Sequence, residues 1–239
     1  MHTPSEAQVI FVNHSGGKDS QAMMAKLIAM GLKDKLVVVH ADLGDMEWEP
    51  MHNWIKKNSF GLAVNVVKSE NSFWDLCRKY KRLPSGQARF CTDQLKTVPC
   101  ERFMKAYCKE RGITKAISAL GIRREESVSR AKKGEFYHKT KLLTVWNPII
   151  DYKIAEVKFE IAAAEQEMHW VYSKGYSRLS CIFCVFGRIG EHKQMSKDRP
   201  AIALKMINLE IELGKTIRLK QKNKIKYPKY LSEYISVYP

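Results

Sequence analysis

Long hydrophobic runs are missing from this 239-residue sequence, and their absence excludes one class of protein. No segment approaches the roughly 20 consecutive apolar residues that a membrane-spanning helix needs. The first six residues carry no apolar core of the kind that a secretory signal peptide contains. Hydrophobic residues still make up 45% of the chain, which is enough for an ordinary globular core. We therefore expect a cytoplasmic globular protein without a membrane partner.

Acidic residues are scarce beside basic ones, with 25 Asp and Glu against 41 Lys and Arg and a net charge of +16. A surface field of this sign favours anionic partners, and a single nucleotide does not require so much charge. Part of the excess lies in residues 215–229, which contain no acid and predict either a nucleic-acid contact or a solvated tail. The cations of this segment are Lys215, Arg218, Lys220, Lys222, Lys224, Lys226 and Lys229.

The sequence has only six cysteines, too scattered for the dense disulfide framework of a small secreted domain. In a cytoplasmic chain they indicate buried thiols, metal ligands or redox centres. Cys181 and Cys184 form a Cys-x-x-Cys pair, whose thiolates can share a metal or act as a redox pair. The remaining cysteines are Cys77, Cys91, Cys100 and Cys108.

Two common phosphate-binding motifs are also missing, the Gly-x-x-x-x-Gly-Lys-Ser/Thr loop and the Gly-x-Gly-x-x-Gly fingerprint. A different glycine-bearing turn joins a predicted strand to a predicted helix, which collects backbone N–H groups and the positive end of the helix dipole at one point. Its glycines permit close approach, its hydroxyls and Lys18 suit phosphate, and Asp19 implies a bridging Mg²⁺. The turn is Ser15-Gly16-Gly17-Lys18-Asp19-Ser20.

Continuous apolar strands alternate with helical segments along the first two thirds of the chain. This alternation predicts an α/β fold with a Rossmann-like, doubly wound, mainly parallel sheet of five strands. Nucleotides bind such sheets at the carboxyl ends of the strands, where Asp42, Gly121 and Arg123 are expected. We predict a nucleotide-binding domain over residues 1–150 and a mostly helical, cysteine-bearing extension over 151–239, together forming one compact unit. The predicted strands lie near residues 9–13, 35–40, 62–67, 115–120 and 142–150.

The glycine-bearing turn resembles the PP-loop of the ATP pyrophosphatase superfamily, whose fold is adenine nucleotide alpha hydrolase-like. In that superfamily the loop holds the β- and γ-phosphates of ATP, which is split into AMP and pyrophosphate. The resemblance implies ATP and Mg²⁺ as ligands, with Mg²⁺ at Asp19. The implied nucleotide-binding residues are Ser15, Gly16, Gly17, Lys18, Asp19, Ser20, Asp42, Gly121 and Arg123.

Three further segments resemble the phosphoadenosine phosphosulfate (PAPS) reductase family in order and spacing over most of residues 8–190. The first runs from Phe90 to Pro99 and contains Cys-Thr-x-x-Leu-Lys-x-x-Pro, the second runs from Gly121 to Ser127, and the third ends in Cys181-Ile182-Phe183-Cys184. The resemblance implies catalytic roles for Lys18, Asp19, Cys91 and Arg123. Lys96 and Arg130 are implied to hold an acceptor phosphate.

The cysteine pattern departs from that of the family's adenylylsulfate reductases, which bind a [4Fe-4S] cluster through a Cys-Cys pair and a Cys-x-x-Cys pair. Only Cys91, Cys181 and Cys184 correspond to those ligands. Cys100 lies nine residues beyond Cys91 and about half a turn out of phase on a helix, so it should face elsewhere. A [4Fe-4S] cluster on three cysteines, a zinc ion and a dithiol without metal all stay open.

PAPS reductases place their nucleophilic cysteine in a late Glu-Cys-Gly-Leu-His segment, and this sequence has no cysteine after Cys184. An intact PP-loop with a cysteine cluster is more similar to the sulfur-transfer proteins of DNA phosphorothioation and, more loosely, to tRNA thiolases. That similarity implies an ATP-dependent adenylyl and sulfur transferase with a desulfurase or thioredoxin-like protein as sulfur-donor partner. Nucleic acid and a small sulfur metabolite both stay open as the acceptor. The alternatives are reduction of PAPS or adenylylsulfate, and a non-catalytic nucleotide- or DNA-binding regulator.

Overall fold

The computed structural model describes residues 1–48, 51–217, 219–222 and 225–235. The chain forms two compact units, each assembled from segments that are separate in sequence. The first unit contains residues 1–41, 49–67 and 100–179, and the second contains residues 42–48, 68–99 and 180–239.

A six-stranded, mostly parallel sheet confirms the predicted α/β class. The strands are β1 (Val9–Asn13), β2 (Leu36–Asp42), β3 (Val64–Lys68), β4 (Ala116–Leu120), β5 (Phe136–His138) and β6 (Leu143–Trp146). Their order in the sheet is β3-β2-β1-β4-β6-β5, and β5 runs antiparallel to β6 at one edge. The prediction of five strands missed β5, because a strand of three residues is too short for an alternating pattern to show.

Helices cover the sheet and explain why β1 is an uninterrupted apolar run. Phe11 of β1 makes edge-to-face contacts with Phe103 and Tyr107, at centroid distances of 6.3 and 5.5 Å. A second buried cluster, around Ala22 and Val157, joins the first helix to the seventh. The helices are α1 (Lys18–Ala29), α2 (Met51–Lys57), α3 (Phe73–Lys79), α4 (Phe90–Thr92), α5 (Val98–Glu110), α6 (Val128–Ala131), α7 (Ile154–Ala163), α8 (Ile189–Asp198) and α9 (Pro200–Leu213).

The strand order places a topological switch beside β1, which pairs in parallel with β2 on one side and β4 on the other. Parallel strands align their carboxyl ends at one sheet edge, and ligands of such sheets bind where the order reverses. Asn13 at the end of β1 is paired with Leu120 at the end of β4. The turns that follow these two strands therefore start side by side.

The C-terminal region is helical through α8 and α9, as predicted, but the basic segment that follows contains a hairpin of β7 (Leu219–Lys222) and β8 (Ile225–Pro228). Arg218 and Lys224 of that segment lie outside the described residues. Buried Glu210 of α9 accepts hydrogen bonds from the Leu231 N–H at 2.6 Å and the Thr216 hydroxyl at 2.9 Å. No helix in the described ranges is long and apolar enough to cross a bilayer.

Candidate nucleotide and thiol sites

The turn between β1 and α1 depends on glycine at position 16. Gly16 has φ +77°, in the left-handed region, and a Cβ there would lie 2.2 Å from Sδ of Met51. Its carbonyl accepts a hydrogen bond from Nε1 of Trp54 at 3.1 Å. Left-handed backbone costs an L-residue roughly 1–2 kcal/mol. The strand can therefore turn this tightly into α1 only because this position has no side chain.

Two serines fix the inside of the same turn. The Ser20 hydroxyl donates to the Gly17 carbonyl at 2.8 Å and accepts from the Ser15 N–H at 3.3 Å. The Ser15 and Ser20 hydroxyl oxygens are 3.2 Å apart. Both hydroxyls thus stabilise the loop through contacts within it. The phosphate contacts that the sequence predicts for the same hydroxyls stay predictions.

A tyrosine that the motifs do not include contacts the first turn of α1. The Tyr172 hydroxyl accepts hydrogen bonds from the N–H of Lys18 at 3.0 Å and of Leu179 at 3.2 Å. Burial raises the pKa of Tyr172 to about 12, so the hydroxyl stays protonated at neutral pH. Its oxygen lies where a helix N-terminus attracts an anion. Nothing in the local sequence around Tyr172 predicts this contact.

Replacing Tyr172 by phenylalanine should lower the free energy of unfolding by about 1–3 kcal/mol, because two N–H groups lose their acceptor. Urea denaturation measures the change. Tyr80→Phe is the matched control, since Tyr80 is 41% exposed and the described contacts give its hydroxyl no hydrogen bond. Equal stability of the two variants would contradict this account.

Lys18, Asp19 and Arg123 form a charged network directly beside the turn. Arg123 donates from Nε to the Asp19 carboxylate at 2.6 Å, and Lys18 Nζ lies 3.6 Å from the other oxygen of Asp19. Lys18 Nζ also donates to the Ser177 carbonyl at 3.2 Å. The chain after β4 can pack this closely against the start of α1 because residue 121 is glycine: a Cβ on Gly121 would lie 2.7 Å from the Asp19 carbonyl oxygen. The structure thus brings four predicted site residues together at the switch point.

Arg123 is almost fully buried at 5% exposure, and three acceptors surround it. Its guanidinium also pairs with Glu125 and donates to the Tyr152 carbonyl at 3.3 Å. Burial alone would lower the pKa of Arg123, but the hydrogen bonds to Asp19 and Glu125 raise it. The Asp19 charge therefore has a protein cation as partner, and an Mg²⁺ role for this carboxylate stays a prediction.

The side chains of Asp42 and Arg130 both have partners within the protein. Asp42 accepts from the Gly44 N–H at 2.7 Å and lies 3.3 Å from Lys68 Nζ, so it ends β2 in a local turn. Arg130 pairs with Glu126 one turn earlier in the chain. Their predicted contacts with nucleotide and acceptor phosphate stay predictions.

Two histidines, to which the sequence assigned no role, form hydrogen bonds with the backbone of the turn or of the residue before it. His14 is buried, and its Nδ1 accepts from the Gly16 N–H at 3.1 Å. Burial lowers the pKa of His14 to about 3, so the ring is neutral. The His40 ring nitrogen Nδ1 lies 3.1 Å from the His14 carbonyl, to which it donates. Both side chains shape the backbone of the loop.

The second unit contains the thiol cluster, which we define as Cys91, Cys181 and Cys184. The Cys181 and Cys184 thiols share a hydrogen bond, and both lie within electrostatic range of Cys91. That hydrogen bond, burial and the neighbouring thiols raise the pKa of Cys181 well above the ordinary thiol value. Burial raises the pKa of Cys91, whereas Lys96 acts in the opposite direction on both. Lys96, predicted at an acceptor phosphate, thus lies beside the thiol cluster.

The donor set of the thiol cluster fits some metal groups better than others. All six cysteines are described and none forms a disulfide. Within the described residues no three His, Cys, Asp or Glu side chains converge closely enough to hold a metal ion, which disfavours zinc at the thiol cluster. Iron–sulfur clusters take cysteine ligands and spread them over several irons, so this prediction stays open. Cys100 packs with Met104 in the core of the first unit.

The Cys-x-x-Cys turn is held by α8. The Cys184 carbonyl accepts from the Gly187 N–H at 2.7 Å and from Nε2 of His192 at 2.9 Å. Nδ1 of buried His192 lies 3.1 Å from the Tyr234 hydroxyl. A Cβ on Gly187 would lie 2.8 Å from Nε2 of His192, so the turn and the imidazole fit only with glycine there.

Replacing His192 by alanine should loosen the turn and weaken the hydrogen bond that raises the pKa of Cys181. We expect alkylation of Cys181 by iodoacetamide to accelerate, because a lower pKa gives a larger fraction of the reactive thiolate. His192→Gln, which can still donate to the Cys184 carbonyl, should restore the slow rate. Mass spectrometry of the Cys181 peptide measures this, and identical rates in both variants would rule out the proposed support.

Comparisons with known proteins agree with this architecture. Residues 9–186 match the phosphoadenosine phosphosulfate reductase domain. An uncharacterized protein of Methanocaldococcus jannaschii is 27% identical over 84% of this chain and 41% of its own length. An uncharacterized 37.8 kDa protein of Escherichia phage 186 is 31% identical over 54% of this chain and 40% of its own length. The chain thus spans less than half the length of these curated relatives.

A solved structure gives the same fold. The FMN adenylyltransferase of Candida glabrata, determined with FMN and the ATP analogue AMPCPP, is similar with a TM-score of 0.52 and 14% identity. The similarity covers 76% of this chain and 57% of that one. At this identity the likeness concerns the arrangement of strands and helices alone.

Proposed function

The chain belongs to the phosphoadenosine phosphosulfate reductase family, and from that premise we propose that it cleaves ATP to AMP and pyrophosphate and couples the cleavage to sulfur transfer. The observation that carries the proposal is the complete glycine-bearing turn of residues 15–20, set between a buried strand and a helix. Its left-handed Gly16, its buried Lys18 and the buried Arg123 beside it suit a triphosphate. A nucleotide-using family and an ATP-analogue complex of a similarly folded protein support it.

In the first step an acceptor oxygen attacks the α-phosphorus of ATP, the bond to the β-phosphate breaks, and pyrophosphate leaves. Lys18 balances the charge that develops on the departing group, as fixed cations do in such transfers. Arg123 holds Asp19 in place through the 2.6 Å contact. Mg²⁺ held at Asp19 would supply further charge neutralisation at the phosphates.

In the second step sulfur replaces the activated oxygen. A persulfide on one cysteine, loaded by a desulfurase-type donor, attacks the acceptor atom, and AMP leaves with the oxygen. A second thiolate of the thiol cluster then attacks the protein-bound sulfur, which releases the thiolated acceptor and leaves a disulfide. A thioredoxin-like partner reduces that disulfide. Alternatively, an iron–sulfur cluster held by Cys91, Cys181 and Cys184 would occupy all three thiols and would supply sulfide-binding iron in place of the persulfide.

Incubation with α-³²P-labelled ATP and nucleic acid tests the first step, with adenylylated nucleic acid that carries the label and unlabelled pyrophosphate as the expected products. Lys18→Ala should lose this turnover, while Lys33→Ala, on the exposed surface after α1, should retain it. The family match also favours a second candidate, reduction of PAPS or adenylylsulfate. Sulfite formed from PAPS with a thioredoxin-like reductant, without any ATP turnover, would replace our proposal by that activity.

A further inference from the structure

Aromatic rings flank the thiol cluster in the second unit. Phe90 directly precedes Cys91, and Phe186 follows Cys184 by two residues. The Arg89 guanidinium lies 5.2 Å above the Phe186 ring, and the Tyr80 and Phe90 rings pack with centroids 4.8 Å apart. We call Tyr80, Arg89, Phe90 and Phe186 the aromatic–cation surface.

Two of these rings are unusually exposed for their size. Phe186 is 47% exposed and Tyr80 is 41% exposed. An exposed phenylalanine with an arginine packed on one face presents a flat apolar surface beside a fixed positive charge. This combination stabilises a core poorly, because solvent reaches the rings, but it suits a planar ligand that carries negative charge.

The surrounding chain is strongly basic. Residues 78–99 contain six cations and a single acid, Asp93. Arg78 is neutralised by an ion pair with Glu212, whereas the side chains at 79, 81, 82 and 89 are exposed. Charge complementarity therefore favours a polyanion. The six cations are Arg78, Lys79, Lys81, Arg82, Arg89 and Lys96.

We propose that the aromatic–cation surface binds a single-stranded segment of nucleic acid, with bases stacked on Phe186 and Tyr80 and the backbone along the exposed cations. Exposed aromatic rings interleaved with cations are the means by which proteins hold single strands without base pairing. A duplex hides the faces of its bases and cannot use these rings. The proposal rests on the proposed function, because it names the acceptor that would lie beside the sulfur-bearing thiols.

Fluorescence anisotropy with labelled oligo(dT) and oligo(U) of about 12 nucleotides, within the usual site sizes, tests the surface. Phe186→Ala should weaken binding roughly tenfold through one lost stack. Arg89→Ala should weaken it and lower the slope of log K against log salt by about 1. Phe159→Ala, a 70% exposed ring in the first unit, and Lys158→Ala should leave affinity unchanged. The ratio of oligo(dT) to oligo(U) affinity identifies the natural strand.

The variants are expected to fold normally, which thermal melting checks, because the replaced rings are half exposed. The basic segment of residues 215–229 is a competing surface for the oligonucleotide. The affinity of the double variant Lys220→Ala/Lys222→Ala is therefore measured in parallel. Affinity that falls only in that tail variant, or is unchanged in Phe186→Ala, overturns the proposal.

The two proposals fail separately. Oligonucleotide binding that depends on Phe186, without any pyrophosphate release by the unaltered protein, would support this surface and overturn the proposed function. Pyrophosphate release without Phe186-dependent binding would do the opposite.

Discussion

Replacing Arg123 by methionine should lower the free energy of unfolding by about 3 kcal/mol, as removal of one partner from a buried ion pair does. The change leaves Asp19 and Glu125 without the guanidinium that pairs with both carboxylates. The same negative charge lies beside the loop proposed to receive ATP. We therefore also expect pyrophosphate release to fall by roughly a hundredfold, as when one oriented charge contact is removed from a transition state.

Arg124→Met is the control for this prediction. Arg124 is the next residue and is also ion-paired, with Asp151 at 2.6 Å, but its side chain is 38% exposed and that of Asp151 74% exposed. Exposed pairs contribute about 0–1 kcal/mol, so this variant should lose less stability than Arg123→Met and should keep its pyrophosphate release. Urea denaturation and the pyrophosphate assay give both quantities.

A double-mutant cycle with Asp19→Asn separates the pair from general effects of burial. If the 2.6 Å contact between Arg123 and Asp19 is the main interaction, the double variant should be less destabilised than the two single changes added together. Strict additivity would mean that Arg123 acts through Glu125 and Tyr152 instead.

The glycine-bearing turn was predictable from sequence because its information is local. A buried strand, two glycines and a helix are adjacent in the chain, so the tight turn at Gly16 follows from a few residues, although α1 begins at Lys18, earlier than the apolar pattern from Met23 onward predicts. The position of Gly121 and Arg123 beside the turn was also predictable, since the ends of neighbouring parallel strands meet at one sheet edge. Their contacts with a nucleotide stay predictions.

Contacts made by distant residues were not predictable in the same way. The Tyr172 hydroxyl accepts a hydrogen bond from the N–H of Lys18, which lies 154 positions earlier in the chain. No sequence pattern near either residue predicts this contact. His192 supports the Cys-x-x-Cys turn through one ring nitrogen, and it lies on α8, a helix that the sequence did not predict. Strand β5 is too short to carry a period, and its place at the sheet edge depends on pairing with β6. Each of these features is set by tertiary packing.

The pKa shifts at the thiol cluster have a direct consequence for pH. In the folded protein the pKa values of Cys91 and Cys181 lie above the ordinary thiol value. In mildly alkaline solution the folded protein therefore keeps thiol protons that the unfolded chain loses. The contribution of these thiols to stability is therefore complete below about pH 8 and is lost as pH rises through the folded values. Loss of stability that begins below neutral pH would have another cause.

Replacing Cys181 or Cys184 by serine should separate the two proposed steps. Serine keeps the size and hydrogen-bonding capacity of the side chain but cannot carry a persulfide or form a disulfide, so sulfur incorporation should fall about a thousandfold or more, as when a nucleophile is removed. Pyrophosphate release uses the turn at residues 15–20 and should persist. Mass spectrometry of the nucleic-acid product and the pyrophosphate assay measure the two steps on the same sample.

Cys100→Ala is the matched control, because Cys100 is a buried thiol that packs with Met104 in the core of the first unit. It should lower stability slightly and leave sulfur incorporation intact. If Cys181→Ser and Cys184→Ser incorporate sulfur as well as the unaltered protein does, the thiol cluster is structural. The pyrophosphate released at the turn would then have to be coupled to a transfer that uses no protein sulfur.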